Sequence, residues 1–356
     1  MTGPQEFPSG ECLVAVDADL EHVNPIMGSE KGLEGLNQFL AASGTISGEV
    51  SERSSAILKN YHHRSAELPN QKGELREDSY GGFHGARRLK GMGLYSGPKP
   101  EWLHKIRNLK KDPTGYVLGL QPEHVFGKAL INSQILREMG VETEVPEGAF
   151  RLNEVIWETR ERVCVRMDIK DAFIEAELPE EYKDIPFVIR VDAMGINHRL
   201  LDFVQADTLI EGEEFTGSVV REIMIREASE FLVKEHQKLG LALPDGLEES
   251  PLIFVEFILK RVMRNAALLH KNKGIHGQFT MQNLTLDGKF IDYDTLSWIG
   301  GDVFEEARLK DLTKLKDSVT NFLKEFLVHA LVPGQSREAI EGAILVNVFN
   351  EYNKYE

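Results

Sequence analysis

Sulfur is scarce in this chain: 356 residues contain only two cysteines, Cys12 and Cys164. Two thiols make neither a disulfide framework nor the ligand set of a structural zinc, so both are expected as reduced residues of a cytosolic chain. Positive charge is short as well, with 41 Lys and Arg against 57 Asp and Glu, a formal net charge of −16 and a pI near 5.2. Nucleic acids and anionic membranes are met by clustered Lys and Arg, so neither is an expected partner. Long apolar runs are missing too. The N-terminal stretch "MTGPQEFPSGECLVAVDADL" has no basic region before an apolar one, and no later stretch approaches 18 uncharged residues, which a spanning helix would need. There is no internal repeat and no low-complexity tract. What is present, 42% hydrophobic and 28% charged residues, fits a soluble, cytoplasmic globular protein large enough for two lobes.

The texture changes near residue 215. Before it, Gly, Pro and short runs alternate; after it, apolar residues recur at helical offsets. "VVREIMIREASEFLVKEHQKLG" (219–240) ends at Gly240, and "SPLIFVEFILKRVMRNAALLHKNKG" (250–274) is a more apolar helix closed by Lys271, Lys273 and Gly274. Two further helices are expected over about 305–331 and 336–352, broken by Val332-Pro333-Gly334. The expected architecture is α+β: a protein-kinase-like two-lobed fold with a mixed N-terminal lobe and a mainly helical C-terminal lobe. In residues, that is an N-terminal extension over 1–75, an N-lobe over 76–215 and a C-lobe over 216–356.

Between two of those helices lies "HGQFTMQNLTLDGKFIDYDT" (276–295). "LTL" and "KFI" are short strand-like runs around Asp287-Gly288, the strongest two-residue turn signal. With those two residues as the loop, Leu284 faces Ile291 and Asn283 faces Asp292. Directly opposed Cβ atoms stand about 4.5–5.5 Å apart, close enough for an amide oxygen and a carboxylate to share a hard cation such as Mg²⁺, which is usually bound together with substrate phosphates. The bland reading is that Asn283 and Asp292 only cap a surface hairpin. On this pairing Asp294 shares a strand face with Asp292, as a second acidic contact or a structural acceptor. His276 is expected to brace the loop through hydrogen bonds, and Trp298 to pack in the core.

A phosphate-handling site needs cationic partners. "GGFHGARRLKGMG" (81–93) reads as a strand ending in a Gly-rich bend, with Lys90 placed to meet a phosphate. Arg88 shares its strand face and is a further phosphate or substrate contact. "GKALINSQILREMGVETEVP" (127–146) reads as a helix over about 127–139 followed by a strand; it offers Gln134 and Glu138 as residues that could steady the lysine. The Tyr61-His62-His63-Arg64 run reads as solvated surface.

The order "RLKGMG", then "ILREMGVETE", "VCVRMDI" and "HGQFTMQNLTLDGKFIDYD" resembles the selenoprotein O family, also called the YdiU family, of kinase-like proteins. The matching motifs are scattered from about residue 81 to 295. The resemblance implies a kinase fold that binds ATP in an inverted orientation and transfers AMP, rather than the γ-phosphate, to protein hydroxyls. It implies that Lys90 contacts phosphate, that Asn283 and Asp292 hold Mg²⁺ or Mn²⁺, and that Arg166 is the first of two phosphate-binding arginines. It also marks departures. The glutamate that pairs with the lysine is Gln134 here or, one turn on, Glu138. The second arginine falls on Phe173, with Lys170 nearby, and the acidic residue before the metal-binding Asn is Gln282. Gln278 stands where aminoglycoside-type kinases carry an Asp, and "NEYNKYE" lacks the family's redox-active residue. No general base is identifiable in the loop. Base assistance contributes about 10²–10⁴ in rate, so a slow AMP- or phosphotransferase acting on a protein or small-molecule acceptor remains compatible. So do a biosynthetic small-molecule kinase and a catalytically silent nucleotide-binding module.

Overall fold

The computed structural model describes residues 15–22, 65–69, 75–78, 81–90, 120–158, 164–175, 182, 184–196, 198–208, 217–330 and 336–356. Cys12 and the Tyr61–Arg64 run lie outside them. In chain order the elements are β1 (Ala15–His22), β2 (Ser65–Pro69), β3 (Arg76–Glu77), β4 (Phe83–His84), β5 (Ala86–Lys90), β6 (Gln121–Pro122), α1 (Glu123–Glu138), β7 (Val145–Glu158), β8 (Cys164–Asp168), α2 (Ile169–Glu175), β9 (Phe187–Met194), α3 (Leu200–Val204), α4 (Gly217–Leu239), α5 (Pro251–Lys271), β10 (Gly274–Ile275), β11 (Ser297–Trp298), α6 (Val303–Ala330) and α7 (Arg337–Tyr355). The result is a mixed α+β chain that divides into two compact units.

One unit comprises residues Met1–Lys72, Ala86–Leu130 and Val145–Ala193. Its sheet runs in the order β1-β7-β9-β5-β2, with β8 added to β7 and β6 to β9. β9 lies inside the sheet because its sequence, "FVIRVDAM", is buried at every position. Such a strand must neutralise its two charged residues internally, and Arg190 donates to Asp192 at 2.8 Å. Phe126, Ala149 and Val188 form a core cluster with Leu130 against it, and Phe173 meets Phe187 edge-on at 5.1 Å.

The other unit comprises Gly73–Gly85, Ile131–Glu144 and Met194–Glu356. Its axis is α5, which packs against α6 and α7 through a stripe that includes Phe254, Ile258, Val262 and Ala266, all fully buried. Pro251 occupies the first turn of α5, where its missing N–H costs nothing, and the Ser250 hydroxyl accepts from the Ile253 N–H at 3.4 Å. Phe203 of α3 stacks on Phe326 at 5.0 Å, fixing that short helix to α6.

Helical periodicity located α1, α4, α5, α6 and α7 to within a few residues. Two expectations are corrected. Trp298 is 38% exposed; it lies in a two-residue strand paired with Gly274, a site too short to carry a ring inward. Asp292 and Asp294 do not share a strand face, because Tyr293–Thr295 is a 3₁₀ turn that starts from a left-handed Asp292.

Candidate functional site

The helical unit builds the loop after α5 from the backbone outward. A buried carboxylate on α6, Asp311, accepts the N–H groups of His276 at 2.8 Å and Gly277 at 2.9 Å. It also lies 3.2 Å from Nε2 of His270, whose Nδ1 is 2.7 Å from the Tyr352 hydroxyl. One carboxylate thus satisfies two successive loop amides that have no secondary-structure partner. His276 braces the loop as expected. Its Nε2 donates to the Ile291 carbonyl at 3.3 Å, its own carbonyl accepts from the Thr295 hydroxyl at 2.9 Å, and its ring stacks on Phe279 at 4.6 Å. Burial pushes its imidazolium below the usual histidine range, so the ring stays neutral beside Asp311 and Asp292.

The hairpin forms in a different register from the expected one. Leu284 bridges Phe290, and the Ile291 N–H donates to the Asn283 carbonyl at 3.1 Å, so Asn283 stands opposite Ile291 and not Asp292. The loop is three residues, Leu286-Asp287-Gly288. Gly288 N–H donates to Thr285 O at 2.9 Å, and Gly288 then takes φ +80°, the arrangement of a type I turn closed by a left-handed residue. The physical reason is competition from outside the hairpin. Segment 198–200 uses its arm, with Leu286 N–H donating to His198 O at 2.8 Å and Leu200 N–H to Leu284 O at 2.9 Å. Asp287 is also fully buried, where it accepts from the Thr285 hydroxyl and lies 3.5 Å from the Lys289 ammonium.

Beneath the hairpin runs a buried ion network. Lys289 Nζ donates to Glu235 at 2.7 Å and to the Phe83 carbonyl at 3.1 Å. Arg261 donates to Glu235 at 2.9 Å and to Glu142 at 3.0 Å. Burial alone would raise the Glu235 carboxyl, but Lys289 and Arg261 overcome it and hold the group at about 2. The Lys289 ammonium is likewise held above its usual range against its burial by Glu235 and Asp287.

On this base the Asn283 side chain is 3% exposed. Its amide nitrogen donates to the Gln278 carbonyl at 3.0 Å, while Oδ1 has no hydrogen-bond partner among the described residues. A buried, unsatisfied amide oxygen costs roughly 1–3 kcal/mol and calls for a ligand or ion. Asp292 follows at φ 63°, ψ 46°, which turns it out of the strand alternation; its N–H donates to Glu144 Oε1 at 2.9 Å. Neutral amide oxygen and carboxylate are hard donors suited to Mg²⁺. Among the described residues no group of three or more His, Cys, Asp or Glu forms a self-sufficient metal cage. A cation held here would therefore be completed by phosphate and water, as Mg²⁺ with a nucleotide is.

The other predicted residues are placed as follows. Lys90 ends β5 and is 5% exposed; Arg88, on the same strand face, is 1% exposed, with its guanidinium 3.7 Å from Asp192. Arg166 lies in β8 opposite Ile156. Gln134 and Glu138 are exposed on α1 and bond to each other at 3.0 Å. Phe173, at the position of the second arginine, is core, and Lys170 is exposed. Gln278 and Gln282 enter the loop through their backbone, the carbonyl of Gln282 accepting from Arg199 at 3.3 Å. Sequence reasoning missed Glu144, Asp311, Glu235 and Lys289. The first three sit far along the chain from the loop they serve, and no local spacing signals them.

No protein-family model matches this chain, and no curated protein sequence matches it. Among solved structures a similar chain is WaaP in complex with acyl carrier protein, at 12% identity over 80% of this chain and 90% of that one, with a TM-score of 0.25. A score of that size carries no argument about activity, and the functional reading rests on the residues. No helix among the described residues is long and apolar enough to cross a membrane.

Proposed function

We propose that this chain is a kinase-like, selenoprotein O-type transferase that binds Mg-ATP, or Mn-ATP, and passes AMP or phosphate to a protein or small-molecule acceptor. Asn283 and Asp292 hold the cation, and Lys90 and Arg166 meet phosphate, with Arg88 supporting the same strand face. The observation that carries this reading is the buried Oδ1 of Asn283, without a hydrogen-bond partner among the described residues, on the loop that leads to a left-handed Asp292. The cation supplies charge neutralisation of the phosphates, which with positioning makes up most of catalysis at phosphorus. His276 fixes the loop and, with its charged form disfavoured by burial, adds no second positive charge to repel the cation.

A second reading has its own support. From His276 to Asn283 the loop contains no carboxylate, only Gln278 and Gln282, so nothing there takes a proton from an acceptor hydroxyl. A nucleotide-binding module without turnover satisfies the same cation geometry. Incubating the protein with ATP labelled at the α- or the γ-phosphate, with and without cell extract, separates these readings. Label from the α position denotes AMP transfer and from the γ position phosphate transfer. Binding without transfer of either label would overturn the enzyme reading in favour of the silent module.

A further inference from the structure

We infer that Glu144 is a positioning residue for Asp292, holding it in the left-handed conformation that its part in cation binding requires; the inference rests on the reading of Asp292 as a ligand given above. Asp292 takes φ 63°, ψ 46°, a region that a residue with a Cβ occupies at a cost and that persists only where the surroundings impose it. What imposes it here is a buried carboxylate. Glu144 is 1% exposed, and its Oε1 accepts the Asp292 N–H at 2.9 Å. Such a charge-assisted bond is roughly twice as strong as one between neutral groups.

The Glu144 backbone is tied to the same turn on both sides. Its N–H donates to Phe290 O at 3.1 Å, and its carbonyl accepts from the Tyr293 hydroxyl at 3.2 Å and the Ser133 hydroxyl at 3.3 Å. Thr143, the preceding residue, donates through its hydroxyl to Phe290 O at 2.8 Å. The glutamate is thus locked to residues 290 and 293, and its side chain reaches the one amide between them whose residue is left-handed. The three bonds to Phe290, Tyr293 and Ser133 run through the Glu144 backbone, so truncating the side chain removes the Asp292 contact while those backbone ties remain.

The test has two readouts on the full chain. In the protein without nucleotide, the Asp292 amide is followed by proton chemical shift and hydrogen exchange. In parallel, Mn-ATP affinity is measured for wild type, Glu144→Gln, Glu144→Ala and Asp292→Ala. Glu144→Ala is expected to release the Asp292 amide to fast exchange with other protected amides unchanged, and to weaken Mn-ATP about ten- to a hundredfold. Glu144→Gln, which keeps an acceptor, is expected to move the Asp292 amide proton upfield and to stay within about fivefold of wild-type affinity. An Asp292 amide indifferent to both substitutions overturns the inference, as does a glutamine variant as weak as the alanine one. Should the alanine variant fail to fold, the amide shift of the glutamine variant decides. If wild type binds no Mn-ATP, the cation reading fails, and the amide measurement still decides whether Glu144 positions Asp292.

Discussion

At Asn283 one side chain divides its roles: the amide nitrogen fastens the loop to the Gln278 carbonyl, and the oxygen has no hydrogen-bond partner among the described residues. The sequence pointed to Asn283 and Asp292 through a two-residue loop that would set them face to face, a pairing the structure replaces with Asn283 opposite Ile291. It could not point to Glu144, whose partner lies 148 residues away. Gly195 was equally silent in the sequence, yet the structure allows no other residue there. A Cβ added to it would lie 1.7 Å from Oδ2 of Asp287 and 3.1 Å from Nζ of Lys289. Asp287 is fully buried and would have to shift to make room. Gly195→Ala is therefore expected to destabilise the protein by about 1–3 kcal/mol, the usual cost of overpacking, seen as a lower urea midpoint with an unchanged slope. A Gly195→Ala protein as stable as wild type would show that the hairpin tip gives way freely.

At the scale of elements, long helices were legible because burying one face of a helix writes a period into the sequence. The hairpin was legible as an element but not in its register. Asp287-Gly288 signals a turn, and a two-residue loop is the local optimum, but hydrogen bonds from segment 198–200 and the pull of Lys289 on Asp287 decide the outcome. The first acts between parts of the chain that no local window contains, and the second gains its strength from the burial of both side chains, which no local window shows. The register alters one expectation directly. With a two-residue loop Gly288 would sit at an exposed turn, and a branched residue there would cost cation binding but little stability. In the structure a Cβ on Gly288 would lie 2.7 Å from Cβ of Arg261 and 2.8 Å from the Ile258 carbonyl, at φ +80°. Gly288→Val is thus expected to lower the melting temperature of the nucleotide-free protein by several degrees, since the strain and the clash together amount to a few kcal/mol. An unchanged melting temperature would favour the two-residue loop.

Across the whole molecule, acidity has a defined meaning. The sequence shows an excess of negative charge and stops there; the structure shows which carboxylates are committed. Glu235 has its folded value near 2, against an ordinary 4.5, so its contribution is complete above pH 4.5 and is lost as pH falls towards 2, amounting to about 3 kcal/mol. His84 and His276, both pushed down chiefly by burial, act in the same direction at higher pH. Their unfolded forms take up protons below the ordinary 6.5 while the folded forms resist, so stability declines as pH drops through that value. Urea midpoints measured from pH 7 to 2.5 are expected to fall in two stages, the lower one steeper. Glu235→Gln should be less stable than wild type at pH 7, because Lys289 and Arg261 lose their shared partner, and the gap should narrow as pH approaches 2.5. A gap that stays constant would show that the network does not titrate as a unit.

The central claim, that Asn283 and Asp292 hold the cation of a bound nucleotide, is tested most directly by calorimetric titration of ATP into the protein with and without Mg²⁺. Wild type is expected to bind ATP only with the metal, and Asn283→Ala and Asp292→Ala each to lose about tenfold or more in affinity. Asn283→Ala should keep nearly wild-type stability, since the lost bond to Gln278 is offset by removal of an unsatisfied buried oxygen. Mg-ATP binding of equal strength in wild type and both variants, or binding indifferent to the metal, would contradict the account.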